Sequence, residues 1–321
     1  MLVSILIPCF NAEPWISQAI ESALAQTWPE KEVIVVDDGS TDRSLEIIKS
    51  FGERIRWETG PNRGGNPARN RLLALARGEW LQYLDADDYL QPDKIEKQLA
   101  DAAPETDVLY GPYIWEQWTA GRARLVPHPL PGESDLWTLL ARWELPQTGA
   151  CLWRKSAILA AGGWKPDQPC CQEHELYLRL LISGARFTRS EHAGAVYRSW
   201  STDTVCNKNP SLTAMKRIEV VERLEQFLLA RGALTPTRRD TINQQRFRIA
   251  RSQWQRNHAC AIQLMARVEE TQPDFRPQST SSPVAYAIAY KLLGFARTER
   301  LADRLREVFR GGARQEDAVL P

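Results

Sequence analysis

Glu79-Trp80-Leu81-Gln82-Tyr83-Leu84-Asp85-Ala86-Asp87 decides the reading of this chain, because an apolar run stops at two carboxylates set two residues apart. The residues from Glu79 to Leu84 read as a buried strand. Side chains at i and i+2 of an extended segment point the same way, so Asp85 and Asp87 face one spot beyond the strand's carboxyl end. Open α/β sheets bind their ligands at that edge. Oxygen ligands suit a hard divalent cation, Mn²⁺ or Mg²⁺, whose shell water and phosphate oxygens complete. The plainer alternative is an acidic turn ahead of a helix near Pro92.

Upstream, strand and helix alternate with short polar breaks. A strand at Val3 to Ile7 precedes a helix from Pro14 to Gln26, and a second strand, Glu32 to Val36, is the unbroken apolar run of a strand buried on both faces. It stops at Asp37-Asp38-Gly39-Ser40-Thr41-Asp42, where Ser and Asp are natural caps for a helix from Arg43 to Lys49. A strand at Ile55 to Glu58, the loop Gly60-Pro61-Asn62-Arg63-Gly64-Gly65-Asn66 and a helix from Pro67 to Ala76 lead into the acidic strand. Such alternation predicts a Rossmann-like α/β fold, a mainly parallel sheet flanked by helices. Every chemically unusual loop then falls on one edge.

Downstream the pattern loosens. Strands are expected at Val108 to Trp115, Arg122 to Val126 and Gly149 to Trp153, with helices at Asp135 to Trp143 and Gln172 to Leu181. Past Trp200 the chain reads as helical: Leu212 to Ala230, Pro236 to Glu270 and Val284 to Phe309, with a linker over Pro273 to Pro283. The expected division is an α/β domain over 1–205 and a C-terminal helical extension over 206–321.

Composition sets the class. Of 321 residues 43% are hydrophobic and 25% charged, ordinary for a soluble globular protein. Lys plus Arg (41) nearly balances Asp plus Glu (40), which argues against bulk binding to nucleic acid. The Arg-rich last hundred residues read first as solvated helix faces, and would also suit an anionic membrane face or a phosphorylated acceptor. No run approaches the roughly 18 to 20 apolar residues of a membrane span. The chain opens directly on a strand with no leader pattern, and its six cysteines show no paired spacing. A cytoplasmic protein with reduced thiols is expected; Val284 to Phe295 can rest peripherally on the inner membrane face, pack on the catalytic domain or form a dimer.

Individual residues carry two readings each. Phe10, after the first strand, can stack on a nucleobase while Asn11 or Glu13 bonds its rim; it can also be a core ring in a turn. Asp37 and Asp38 are turn formers, or acceptors for the edge of a base such as uracil. Arg69, near a helix start, can meet a diphosphate with help from the helix dipole. Glu173 shares a helical face with Leu176, Tyr177 and Leu180, which should pack inward and hold its carboxylate at the mouth of a site. There it would serve as a general base for a hydroxyl. His174 is the rival base, or a histidine on the helix surface. Glu175 should pair with Arg179 at i, i+4 on another face. Twelve tryptophans, six of them between Trp115 and Trp164, offer rings for sugar faces or for the core.

Taken in order, these stretches resemble the family 2 glycosyltransferases, inverting nucleotide-sugar enzymes of GT-A fold. The likeness runs from residue 2 to about residue 200: Val3-Ser4-Ile5-Leu6-Ile7-Pro8-Cys9-Phe10-Asn11, Val35-Val36-Asp37-Asp38-Gly39-Ser40-Thr41-Asp42, Asn62 with Gly64 and Ala68-Arg69-Asn70, Tyr83-Leu84-Asp85-Ala86-Asp87-Asp88, and the helix opening at Gln172-Glu173. The resemblance implies that Pro8, Phe10, Asn11, Glu13, Asp37, Asp38, Asn62, Arg69, Asp85 and Ala86 bind the nucleotide-sugar. Asp85 and Asp87 would hold Mn²⁺ or Mg²⁺, and Glu173 would be the base. The family's acidic pair reads Gln172-Glu173 here, keeping the catalytic carboxylate and losing the first acid. Tyr197-Arg198-Ser199-Trp200 resembles a segment that closes over the donor, which would bring Arg198 to phosphate. The resemblance also implies a saccharide or lipid-linked acceptor, in cell-surface polysaccharide or glycolipid synthesis. A sugar nucleotidyltransferase would need a Gly-rich loop after the first strand, and a nicotinamide dehydrogenase G-x-G-x-x-G; neither is present. A non-catalytic sugar-nucleotide binder would be expected to lose one of the three carboxylates.

Overall fold

Val3–Cys9 forms strand β1, whose side chains are almost all buried, as an apolar strand between two helical layers must be. It pairs in parallel with β2 (Lys31–Asp37) on one side and β4 (Trp80–Tyr83) on the other, and β3 (Arg56–Thr59) extends the sheet beyond β2. Helices α1 (Ile16–Leu24), α2 (Ser44–Ser50) and α3 (Gly65–Leu75) make the crossovers. The chain is described from a computed structural model over residues 1–119, 121–132, 135–200, 205–278 and 281–316. It divides into two compact units, Met1–Lys208 and Asn209–Pro321.

In the first unit the acidic segment leaves β4 and enters β5 (Tyr89–Leu90), followed by α4 (Lys94–Ala100). The sheet then continues with β6 (Val108–Tyr110). The expected strand from Val108 to Trp115 is broken at Gly111-Pro112, and β7 (Tyr113–Thr119) belongs to a different sheet. Proline offers no N–H to a ladder, so the break falls there. After β8 (Arg122–His128) and α5 (Leu136–Arg142), β9 (Cys151–Arg154) returns antiparallel between β4 and β6. Then come α6 (Lys155–Ala160), α7 (Gln172–Ile182), β10 (Phe187–Arg189), β11 (Ala195–Ser199) and α8 (Val205–Lys208). The large sheet has the order β10-β6-β9-β4-β1-β2-β3, and a smaller one the order β5-β11-β7-β8. The register Cys9↔Asp37 aligns the carboxyl ends of β1 and β2. The loops after β1, β2 and β4 therefore open on one edge. Ile5, Ile7, Val33, Val35, Trp80 and Leu152 lie in the core beneath it, each burial worth roughly 1.5–3 kcal/mol.

The second unit is helical: α9 (Pro210–Ala230), α10 (Pro236–Gln253), α11 (His258–Thr271) and α12 (Val284–Glu316). The single helix expected from Pro236 to Glu270 is two. Asn257 accepts from Cys260 N at 3.1 Å and starts α11 afresh, because a side-chain cap competes with helix continuation. Helix α12 bends at Gly294, whose φ of 73° no helix interior holds. Phe247, Trp254, Phe275, Tyr286, Tyr290 and Phe295 fill the core. A buried ion pair, Arg246 to Glu225, joins α10 to α9 at 2.7 Å. No helix of the described residues is long and apolar enough to cross a membrane.

Candidate active site

A cleft of about 700 Å³ opens at the carboxyl edge of the large sheet. It is lined by Pro8, Phe10 and Asn11 after β1, by Asp38, Asn62 and Arg69, by Asp85, Ala86 and Asp87 after β4, and by Glu173 and Arg198. These are the sequence-derived candidates, brought from six separate stretches to one cavity. Glu13 and Asp37 do not line it.

The wall after β1 and β2 is stapled by polar side chains. Asn11 holds a left-handed φ of 48°; its backbone N–H donates to Ser40 Oγ at 3.0 Å, and its Oδ1 accepts from Thr41 N at 2.8 Å. The two oxygens of Asp38 accept from Arg63 N and Gly64 N, both at 2.8 Å, which fixes the loop before α3. Gly39 has a φ of 77°, and a Cβ there would stand 2.7 Å from Asn62 N. Against this rigid wall Phe10 leaves 48% of its surface open, a ring free to receive a flat ligand. Glu13 and Asp37, expected at the nucleotide, bond within the protein and lie outside the lining. Glu13 accepts from the backbone N–H of Arg43 at 3.2 Å. Asp37, fully buried, accepts from Thr59 Oγ1 at 2.6 Å and from Ser40 N at 3.3 Å. Both are loop staples.

Arg69 organises the floor. Its guanidinium, buried beside the Trp164 ring at 5.0 Å, donates to Asp85 Oδ1 at 2.8 Å and to Gln172 Oε1 at 3.1 Å. It thereby ties α3, the acidic segment and the start of α7 together. Neutral Gln172 leaves Asp85 as the carboxylate bonded to this cation. Asp87 Oδ2 accepts from the Trp200 indole N–H at 3.1 Å. Burial and the neighbouring Asp85 charge raise the Asp87 carboxyl above its ordinary range. Asp88 is raised well above it by burial, then by Asp87 and Asp85; among the described residues its Oδ2 has no hydrogen-bond partner, while Oδ1 accepts from Arg198 N at 2.8 Å. Asp87 and Asp88, buried beside the Asp85 charge, resist ionisation, a setting that a cation relieves, so Asp85 and Asp87 fit a hard divalent ion. Among the described residues no group of three or more His, Cys, Asp or Glu is arranged to hold an ion unaided. Ligand oxygens would have to complete the shell.

Arg198, expected at phosphate, lines the cleft while its guanidinium is bonded within the protein. Its guanidinium, 2% exposed, donates to Glu116 Oε1 at 2.8 Å, Gln18 Oε1 at 2.7 Å and the carbonyl of Asp87 at 2.5 Å, and lies over the Trp15 ring at 4.3 Å. With these partners it props the acidic loop from beneath.

Glu173 sits in the first turn of α7, half-buried, where the helix dipole favours a negative charge. Leu176, Tyr177 and Leu180 on its face are fully buried. Thr148 Oγ1, in the turn Thr148–Ala150 before β9, donates to Glu173 Oε1 at 2.9 Å, which leaves Oε2 for a ligand. His174 is not a surface residue: it is buried, stacked face to face on Trp143 with ring centroids 4.1 Å apart. Glu175 pairs with Arg179 at 2.8 Å as expected, but inside the protein. Sequence reasoning missed Thr148, which reaches Glu173 from outside the lining, and it missed Trp15, Cys170, Cys171 and Cys206, which line the cleft together with Tyr197 and Trp200 of the expected closing segment. No local pattern marks Thr148, since its partner is set by the packing of α7 on β9. Trp80, Trp153 and Trp164 belong to the core, while Trp15 packs against Trp118 and Trp200 beside Arg198.

Residues 4–160 match the family described as Glycosyl transferase family 2. An uncharacterised glycosyltransferase of Haemophilus influenzae is 43% identical over 102 residues, 30% of this chain and 41% of that protein. Chondroitin synthase of Pasteurella multocida is 44% identical over 98 residues, 30% of this chain and 10% of the synthase. The matched stretch is thus less than half of either relative. Among solved structures, S. aureus TarS 1–349 in complex with UDP-GlcNAc superposes with a TM-score of 0.69 at 18% identity, covering 95% of this chain and 92% of that one. At that identity the likeness is one of fold.

Proposed function

The chain belongs to glycosyl transferase family 2 and has its GT-A fold, and from that premise we propose that it transfers a sugar from a nucleoside-diphosphate donor, a UDP-sugar, to an acceptor hydroxyl with inversion. One observation carries the reading: Asp85, Asp87 and Glu173 line the same cleft as Phe10 and Asp38. Phe10 takes the face of the base, and the rigid loops of Asn11 and Asp38 set the depth of the nucleoside. Mn²⁺ or Mg²⁺ held by Asp85 and Asp87 supplies, when bound, the positive charge that a departing diphosphate needs.

Glu173 takes the proton of the acceptor hydroxyl on Oε2 while Thr148 holds Oε1. The acceptor oxygen bonds to the anomeric carbon as the bond from that carbon to the phosphate oxygen breaks, and the electron pair leaves with the nucleoside diphosphate. An α-linked donor therefore gives a β-glycoside. Arg69 keeps Asp85 and the start of α7 in register, so both ends of the reaction are fixed by one side chain. The acceptor in this reading is a growing cell-surface polysaccharide or glycolipid, saccharide or lipid-linked, and the helical unit meets the inner membrane face from the cytoplasm. Thermal unfolding with a panel of nucleotide sugars, with and without Mn²⁺, tests the donor class. UDP-sugars should raise the melting temperature in the presence of the metal, and a GDP- or CMP-sugar that alone did so would refute the UDP assignment.

A further inference from the structure

Helix α12 shows two unlike faces over its described side chains, 284–306. The inner face gives Tyr286, Tyr290 and Phe295 to the core of the helical unit. On the outer face Val284, Ile288 and Leu292, four residues apart, are 68%, 58% and 75% exposed. They draw an apolar line of about 12 Å along the helix. Past the bend at Gly294, Leu301 and Leu305 repeat the spacing, also exposed. The exposed charges interleaved with them are all basic: Lys291, Arg297, Arg300, Arg304 and Arg306. Both acids of this stretch are engaged: Arg306 pairs with Asp303 at 2.7 Å and with Glu299 at 3.5 Å, and each acid also has partners beyond this helix. Glu299, buried, accepts from Arg251 at 2.9 Å and from the Tyr286 hydroxyl at 2.7 Å. Asp303 accepts from the Trp254 indole at 2.8 Å and from Gln255 at 2.6 Å.

A merely solvated helix mixes both signs and seldom shows so long an apolar line. A second copy docked through the same face would bring like charges together, which opposes a symmetric dimer. Apolar residues flanked by Lys and Arg are what an interfacial helix presents to acidic headgroups. We propose that this face of α12 seats the protein on an anionic lipid bilayer, with Val284, Ile288 and Leu292 entering the headgroup–acyl boundary and Lys291, Arg297, Arg300 and Arg304 meeting headgroup phosphates. The proposal deepens the membrane contact of the preceding reading and specifies its surface and its lipid charge.

Cosedimentation of the full chain with vesicles tests it without any catalytic step. The vesicles are phosphatidylcholine alone and phosphatidylcholine carrying about one third phosphatidylglycerol. The protein should partition onto the anionic vesicles, weakly onto the neutral ones, and should be released by high salt. Arg297→Gln with Arg300→Gln should weaken partition roughly fivefold per side chain. Ile288→Glu with Leu292→Glu, both at exposed positions, should abolish it while the melting temperature stays unchanged. Absence of binding to anionic vesicles, equal binding to both kinds, or wild-type binding by the Glu variant overturns the proposal. So does a dimer, seen by sedimentation velocity, that the Glu variant dissociates. UDP affinity measured on the same samples separates this outcome from failure of the donor reading.

Discussion

Glu173 and Thr148 form the smallest unit of the account, one carboxylate and the hydroxyl that aims it. Thr148→Val removes a hydrogen bond to a charged group while keeping shape. It should lower kcat roughly ten- to a hundredfold, leave the donor KM unchanged, and be rescued by Thr148→Ser. Equal loss in Val and Ser variants would show that packing, not the hydroxyl, matters. A second residue reports on the core. Burial holds the Lys94 ammonium down at about 7 from its ordinary 10.5, with Nζ donating to Gln82 Oε1 and to the Cys151 carbonyl. Between those values the unfolded chain binds a proton here and the fold does not. This contribution to stability is complete above 10.5, is lost as pH falls toward 7, and is absent below. The stability of wild type minus Lys94→Met should therefore rise with pH, by up to about 1.4 kcal/mol per unit across that window. Urea unfolding between pH 7.5 and 9.5 measures it, and a flat difference contradicts the buried neutral lysine. Carboxylates on the edge of a sheet were legible one by one, because strand period and helix face follow from sequence alone. Thr148 and the partners of Arg198 were not, since three-dimensional neighbours decide them.

At the scale of elements, the parallel half of the sheet follows from apolar runs ending in turn residues, and β1, β2 and β4 fall within a residue or two of their expected ends. The smaller sheet was only partly visible. β5 has two residues, too few to show a period, and Gly111-Pro112 splits one apolar run between two sheets. Among the described residues Asn257 broke a helix that residue pattern alone would continue. Glu13 and Asp37 sit in the expected loops but turn to backbone and hydroxyl donors inside them, a choice that sequence does not disclose. The loop wall yields its own prediction. Gly39→Ala would force a Cβ against Asn62 N at a positive φ. It should destabilise the protein by about 1–3 kcal/mol and weaken UDP binding in step. Thermal unfolding alongside calorimetry checks both, and an unchanged melting temperature would mean the turn relaxes freely.

Across the whole molecule, the first unit joins distant carboxylates around one cavity, and the second offers a basic, apolar helix face. The central claim is that Glu173 performs chemistry and does not bind the donor. Glu173→Gln keeps the side chain's shape and its bond from Thr148 while removing the base. Transfer from a UDP-sugar should fall by about a thousandfold or more, with UDP and Mn²⁺ affinities, read by titration calorimetry, within a factor of about two of wild type. Near-normal turnover, or a loss of UDP affinity as large as the loss of rate, would contradict the account.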